Sequence, residues 1–369
     1  MKKILCVFGT RPEAIKMAPV IRELKNHSRG FSVVVCVTGQ HRDMLDQVLS
    51  VFDIKPEYDL NVMQPNQTLV ELTSKILLGI DDIIQKESPD WVLVQGDTTT
   101  AMVAALAAFY HKVKVGHIEA GLRTGDVYNP FPEEANRKII DSFATLYFAP
   151  TETSRQNLLK ESVPAERIIV TGNTVIDALG LVAQKPYDWM SGPLAKIPRD
   201  KKLILATTHR RENLGAPLEH ICEGLRQVAA EHEEVQIVIP MHLNPQVRKI
   251  MTAVLGKVEN VSLIEPFDYI SLVHLLKECT LVATDSGGLQ EEAPAFGKPV
   301  LILRETSERP EGIEAGVAIL VGTKSEDIRQ AIHTLLANQE EYRKIARAVS
   351  PYGDGTASRQ IVAALEITA

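Results

Sequence analysis

In the stretch Thr284-Asp-Ser-Gly-Gly-Leu-Gln-Glu-Glu-Ala-Pro294 an apolar strand passes into a helix. Residues 279–282 read as the end of the strand and residues 289–296 as the short helix. A strand, a Ser-Gly-Gly turn and a helix gather backbone N–H groups at the positive end of that helix, where a phosphate is stabilised without any cation. Glu291 or Glu292, one turn further on, is placed to accept hydrogen bonds from a ribose. The same letters also describe an ordinary capped helix after a glycine turn, so the rest of the chain has to decide.

Working outward, the strand–turn–helix unit recurs. Apolar runs at 3–8, 31–37, 91–94, 113–118, 146–149 and 168–170 are separated by helical patterns at 13–26, 42–51, 68–86, 101–110, 133–142 and 153–161. The alternation resumes with strands at 203–207, 235–239, 261–264 and 300–303 and helices at 217–231, 245–255, 269–277, 325–336 and 340–349. Wholly apolar strands separated by helices predict parallel sheets covered on both faces. The expected fold class is α/β, with two doubly wound, Rossmann-like domains and a ligand cleft between them. Around Pro186, Pro193 and Pro198 the pattern lapses, and residues 183–199 read as the interdomain connection. The domains are expected at 1–172 and 173–355, with a terminal helix in 356–369 joining the first.

Composition narrows the function. A chain of 369 residues, 45% hydrophobic, buries an ample core for two domains, and a net charge of −7 argues against a nucleic-acid surface. Ile4–Phe8 is too short for a signal peptide, and no apolar run approaches the length of a membrane span. Cys6, Cys36, Cys222 and Cys279 lie apart without metal spacing and read as reduced, buried thiols of a cytoplasmic protein.

Unusual residues collect just after strands. Gly9-Thr-Arg-Pro-Glu-Ala-Ile-Lys16 follows the first, with Arg11 and Lys16 able to reach an anion at a helix start. Asp97 follows the 91–94 strand, where a helix cap would also explain it, and Glu119 and Arg123 follow the 113–118 strand. Glu133 and Arg137 are four apart on a helix, which predicts a surface ion pair. His209 stands among charges after the 203–207 strand. Carboxylates in the first half and an anion cradle in the second suit proton transfer on a substrate anchored by a diphosphate. No G-x-G-x-x-G follows the first strand and no P-loop motif occurs, which argues against a nicotinamide dehydrogenase and a P-loop NTPase.

Seven motifs then occur in order: Phe8-Gly-Thr-Arg-Pro-Glu-Ala-Ile-Lys16, Thr38-Gly-Gln-His-Arg42, Gly96-Asp-Thr-Thr-Thr100, His117-Ile-Glu-Ala-Gly-Leu-Arg123, Pro132-Glu-Glu-Ala-Asn-Arg137, Thr208-His-Arg-Arg-Glu-Asn213 and Asp285-Ser-Gly-Gly-Leu-Gln-Glu-Glu292. With Thr306-Ser-Glu-Arg-Pro-Glu311 they span nearly the whole chain, which closely resembles the non-hydrolysing bacterial UDP-N-acetylglucosamine 2-epimerases. The resemblance implies a GT-B-like fold, a homodimer, and interconversion of UDP-GlcNAc and UDP-ManNAc with no cofactor and no metal. It implies elimination of UDP to a 2-acetamidoglucal followed by re-addition, supplying ManNAc units for cell-surface polysaccharide. Carried over residue by residue, Asp97, Glu119, Glu133, Arg137 and His209 are the catalytic candidates. Which carboxylate is the base in which direction stays open. Arg11, Lys16, Phe267, Ser286, Gly287, Gly288, Glu292 and Arg309 would hold the UDP-sugar, and Gln40, His41, Arg210 and His242 a second, activating UDP-GlcNAc. The alternatives are a GT-B glycosyltransferase, a hydrolysing 2-epimerase and a non-enzymatic UDP-sugar sensor.

Overall fold

The computed structural model describes residues 1–39, 42–64 and 66–368, and the chain divides into two compact units. The first comprises Met1–Leu181 with Tyr352–Ala369, the second Val182–Pro351.

Seven parallel strands form the sheet of the first unit: β1 (Lys2–Phe8), β2 (Phe31–Val37), β3 (Tyr58–Asp59), β4 (Trp91–Gln95), β5 (Lys114–Ile118), β6 (Leu146–Ala149) and β7 (Ile168–Val170). Their order is β3-β2-β1-β4-β5-β6-β7, so the winding reverses between β1 and β4. The helices are α1 (Arg11–Asn26), α2 (Arg42–Val51), α3 (Leu69–Glu87), α4 (Thr99–Tyr110), α5 (Glu133–Phe143), α6 (Glu152–Lys160) and α7 (Thr174–Ala183). Ile4–Phe8 and Trp91–Val94 have no exposed surface, as a parallel sheet covered on both faces requires. Thr10 and Glu13 close a capping box that starts α1, and Thr68 and Glu71 do the same for α3.

In the second unit β8 (Lys202–Thr207), β9 (Val235–Pro240), β10 (Val261–Ile264), β11 (Leu281–Thr284), β12 (Val300–Ile302) and β13 (Ala318–Leu320) pair in the order β10-β9-β8-β11-β12-β13. Here the winding reverses between β8 and β11. Its helices are α8 (Ala216–Glu231), α9 (Pro245–Leu255), α10 (Tyr269–Glu278), α11 (Gly287–Glu292), α12 (Pro310–Glu314), α13 (Ser325–Ala337) and α14 (Gln339–Ala346). The last helix, α15 (Ala357–Ile367), belongs to the first unit and packs on α1.

The α/β, doubly wound class expected from the sequence is the class observed. Three details differ. Residues 183–199 are not a free connection: Leu194 and Ile197 are buried in the second unit, and the Tyr187 ring lies 4.8 Å from that of His274. Apolar side chains hidden among the prolines hold the segment down. The division lies at 181/182 rather than 172/173, because Asp177 of α7 binds the start of α15 through Ala357 N (3.2 Å) and Ser358 N (2.8 Å). It returns at 351/352 rather than after 355, because Asn173 N donates to Tyr352 O at 2.7 Å. All four cysteines are free and buried, and burial pushes their thiols up to about 12. No described helix is long and apolar enough to cross a membrane.

The crossing of 172 and 353 is tight. Gly172 sits at φ +82°, and a Cβ there would lie 2.8 Å from Gly353 Cα. We expect Gly172→Ala to destabilise the first unit by at least roughly 1–3 kcal/mol. Urea unfolding in a Trp189→Phe background, where Trp91 is the sole remaining tryptophan, measures it; an unchanged midpoint would contradict the crossing.

Candidate active site

Arg11 and Asp97 in the first unit, and His209, Arg210, Ser286, Gly287 and Gly288 in the second, follow the strands at the reversal of winding, where a doubly wound sheet opens a crevice beyond its strand ends. Glu119, His242 and Phe267 instead follow β5, β9 and β10. In the first unit the turn after β1 is built around Glu13. Its buried carboxylate accepts from Gly9 N (3.0 Å), Thr10 N (2.8 Å) and Thr98 Oγ1 (2.6 Å). Burial pushes its pKa up, and those bonds offset this only in part. Gly9 admits no side chain, since a Cβ would sit 2.2 Å from Thr38 Oγ1. Arg11, half-buried beside this turn, has no acidic partner among the described residues.

Asp97 and Glu119 leave neighbouring strands, because Gln95 of β4 is in register with Ile118 of β5. Glu119 is buried and adopts φ +69°, a conformation that costs a non-glycine residue about 1 kcal/mol or more. Its Oε2 accepts from Gln95 Nε2 at 2.6 Å and pairs with the Lys16 ammonium. Lys16, expected to hold substrate, is thus seated on a catalytic candidate. Asp97 takes Arg137 through Nε (2.9 Å) and Nη2 (2.7 Å), both on Oδ2, and Asn136 Nδ2 holds its backbone carbonyl at 2.8 Å.

The helical spacing pairs Glu133 with Arg137, but that pair does not form. Arg137 turns to Asp97 and to buried Glu134, whose Oε2 is 2.7 Å from Nη1. Glu134 also accepts from Thr124 N (3.1 Å) and Gly125 N (3.2 Å), so a fully desolvated carboxylate outcompetes a half-exposed one for the guanidinium. Glu133, on the first turn of α5, is left with a buried Oε2 that accepts no hydrogen bond among the described residues.

In the second unit Asp285 organises the site. It is inaccessible and accepts from His209 N (2.9 Å), Arg210 N (3.0 Å) and Asn213 Nδ2 (3.0 Å), with His209 Nδ1 at 3.1 Å. Burial raises its pKa, but the His209 imidazole and the two backbone N–H groups outweigh burial and hold it below the ordinary carboxylate range. Ser286 precedes α11 and makes no side-chain capping bond, so the first-turn N–H groups of Gly287 and Gly288 carry no cap. Arg210 reaches Glu308 at 3.2 Å, Arg309 pairs with buried Glu291, and Glu292 is half-buried beside them. His242 is exposed with its ring 6.0 Å from that of His209, and half-buried Phe267 precedes the Asp268 cap of α10. Gln40 and His41 lie outside the described residues.

Sequence reasoning gave no role to Glu13, Gln95, Glu134 or Asp285; their signal is a polar letter at the end of an otherwise apolar strand or inside a helix start. Metal-type donors gather, among the described residues, at Glu231, His232 and His333, at the end of α8, but Arg329 already takes both Glu231 oxygens at 3.1 and 3.2 Å.

Comparison with known proteins follows this geometry. A family profile for UDP-N-acetylglucosamine 2-epimerase matches residues 22–366. The chain is 54% identical to the UDP-N-acetylglucosamine 2-epimerase of Salmonella typhimurium, over 99% of this chain and 98% of that one. It superposes on the structure of a UDP-N-acetylglucosamine 2-epimerase family protein from Listeria monocytogenes with a TM-score of 0.94 at 48% identity, covering 99% and 96% of the two chains. A Neisseria meningitidis UDP-GlcNAc 2-epimerase crystallised with UDP-GlcNAc gives 0.88 at 50% identity, covering 98% and 99%.

Because the folded pKa of Asp285 is depressed, its stabilisation is complete above the unfolded carboxylate value near 4 and is lost as pH falls through the folded value. Asp285→Asn should cost roughly 2–4 kcal/mol at neutral pH. The gap to the parent should narrow in acid below that value, as urea unfolding across a pH series would show.

Proposed function

The chain belongs to the UDP-N-acetylglucosamine 2-epimerase family, and we propose that it interconverts UDP-GlcNAc and UDP-ManNAc by inverting C2, without net hydrolysis. The observation that carries this reading is the pair of carboxylates, Asp97 and Glu119, leaving adjacent strands, each with one oxygen tied to a cation.

The C2 proton is not next to a carbonyl, so its removal must coincide with departure of UDP from C1. The C2–H electrons become the C1=C2 bond of a 2-acetamidoglucal, and the C1–O electrons leave with the diphosphate. UDP then re-adds while a proton returns to the opposite face, which calls for two carboxyl groups or one that moves. Asp97, Glu119 and Glu133 supply them, with Arg137 orienting Asp97 and Lys16 seating Glu119. The leaving diphosphate is met by the uncapped N–H groups after Ser286, at Gly287 and Gly288, and by Arg11 and His209. One well-placed donor is worth roughly 3 kcal/mol, so several lower the barrier substantially. Glu292 takes the ribose, Phe267 the uracil, and Arg309 lies on the same side through Glu291. A second UDP-GlcNAc, bound through Gln40, His41, Arg210 and His242, activates the enzyme by excluding water from the glycal.

In D2O, followed by NMR, UDP-GlcNAc should yield UDP-ManNAc with deuterium at C2. Free ManNAc as the only sugar product, or unlabelled substrate throughout, would refute the assignment. Started from UDP-ManNAc alone, the same assay should stay nearly silent until UDP-GlcNAc is added. A second prediction concerns the cradle. A Cβ on Gly287 would meet nothing nearer than Arg210 Nη2 at 3.7 Å, so the fold accepts alanine there. Alanine keeps its own N–H, but its methyl would crowd the approach of the diphosphate to the first-turn N–H groups. Gly287→Ala should therefore leave the melting temperature almost unchanged while lowering turnover at saturating substrate about tenfold or more, comparable with blocking one transition-state donor. An effect on affinity alone would make the loop an anchor only.

A further inference from the structure

We propose that His117 is a positioning residue for Asp97: its buried ring clamps the Gly96 carbonyl and so fixes the peptide that carries the carboxylate. The inference rests on the epimerase reading above.

His117 lies in the middle of the first unit's sheet, on β5, with no exposed surface. A polar ring there is costly unless both nitrogens are satisfied. Nδ1 donates to Asp141 Oδ1 at 2.6 Å and Nε2 to Gly96 O at 2.8 Å. A carbonyl only accepts, so the nitrogen facing Gly96 carries a hydrogen. Burial would raise the Asp141 pKa, but His117 and Arg123 outweigh it and the group lies below its ordinary range. Arg123 Nη2 reaches Asp141 Oδ2 at 2.7 Å and Glu161 Oε2 at 2.6 Å. An unbroken chain of hydrogen bonds thus runs from Glu161, near the surface, to the Gly96 carbonyl.

What the clamp holds is the turn itself. Gly96 takes φ +70° as the chain leaves β4, its N–H donating to Ile118 O at 2.9 Å and its carbonyl turned to His117 instead of to a ladder partner. The next residue is Asp97, already fixed at its own carbonyl by Asn136 and at Oδ2 by Arg137. Without the His117 bond the Gly96–Asp97 peptide is free to rotate about those two anchors, which moves the carboxylate relative to C2. A misplacement of about 1 Å costs on the order of 100-fold in rate. A buried His–Asp pair that only stabilised the fold would leave kcat untouched in any variant that folds.

Two amides separate these roles. In His117→Gln the side-chain nitrogen occupies the Nε2 position and still donates to Gly96. In His117→Asn it occupies the Nδ1 position, keeps Asp141 and abandons Gly96. Circular dichroism, and urea unfolding followed through first-unit Trp91 in the Trp189→Phe background, show whether the first unit of each variant is folded. With wild type turning over, His117→Asn should lose about 100-fold in kcat with KM little changed, and deuterium entry at C2 should fall in parallel. His117→Gln should keep kcat within about tenfold of wild type. Equal kcat in the two folded variants, whether intact or lost, overturns the proposal. If His117→Asn does not fold, His117→Gln decides alone, and a larger fall in it with the Trp91 unfolding transition intact also overturns the proposal. Wild type that neither epimerises nor exchanges C2 overturns the epimerase reading, and this inference with it.

Discussion

A backbone that leaves a buried parallel sheet loses its ladder partners while still shielded from water, and each abandoned N–H or C=O then needs a substitute. Here the substitutes are ionisable side chains. Glu13 takes the two N–H groups after β1, Asp285 the two after β8, Glu134 those of Thr124 and Gly125, and His117 the carbonyl after β4. One buried side chain sets the course of each turn, and residues proposed for the chemistry stand on those turns: Arg11, His209 and Asp97. Local backbone satisfaction and the placement of reactive groups are one problem with one solution.

The price is desolvation. Replacing a buried charged network by apolar side chains is often neutral or stabilising, so fold stability alone does not account for it. Position does. Asp141 between His117 and Arg123, and Arg137 between Asp97 and Glu134, hold fixed geometry where a greasy contact would slide. The left-handed backbone of Glu119 is of the same kind: an unfavourable conformation tolerated because Gln95 and Lys16 hold its carboxylate.

Much of the fold was legible because parallel strands are apolar throughout and alternate with helices, and β1, β4, β8 and β11 stand out on that count alone. The two-residue β3 is too short for any pattern. The three-residue β13 exposes Ile319 and Leu320, so it carries no buried run, and apolar α7 shows no clear polar face. Candidate site residues were legible where a charge followed a strand, as at Asp97, Glu119 and His209. Partners were not. Spacing offered Arg137 only Glu133, whereas the guanidinium takes Glu134 and also Asp97, forty residues earlier in the chain and invisible to any helical rule. The proline-rich 183–199 segment misled because its composition described a linker, whereas Leu194 and Ile197 decide its packing.

The return of the chain at Tyr352 bears on how the protein is made. Residues 182–351 form their unit without interruption, whereas the first unit is closed only by α15. That helix brings Ile361, Val362 and Leu365 to the core and presents the carbonyls of Leu365, Glu366 and Thr368 to the Lys2 ammonium. During synthesis from the amino end, at about 5–20 residues per second, residues 1–181 wait roughly 10–30 s without that cover while the second unit is made. The unit begun first is therefore finished last, and until then its α1 face lacks the cover of α15.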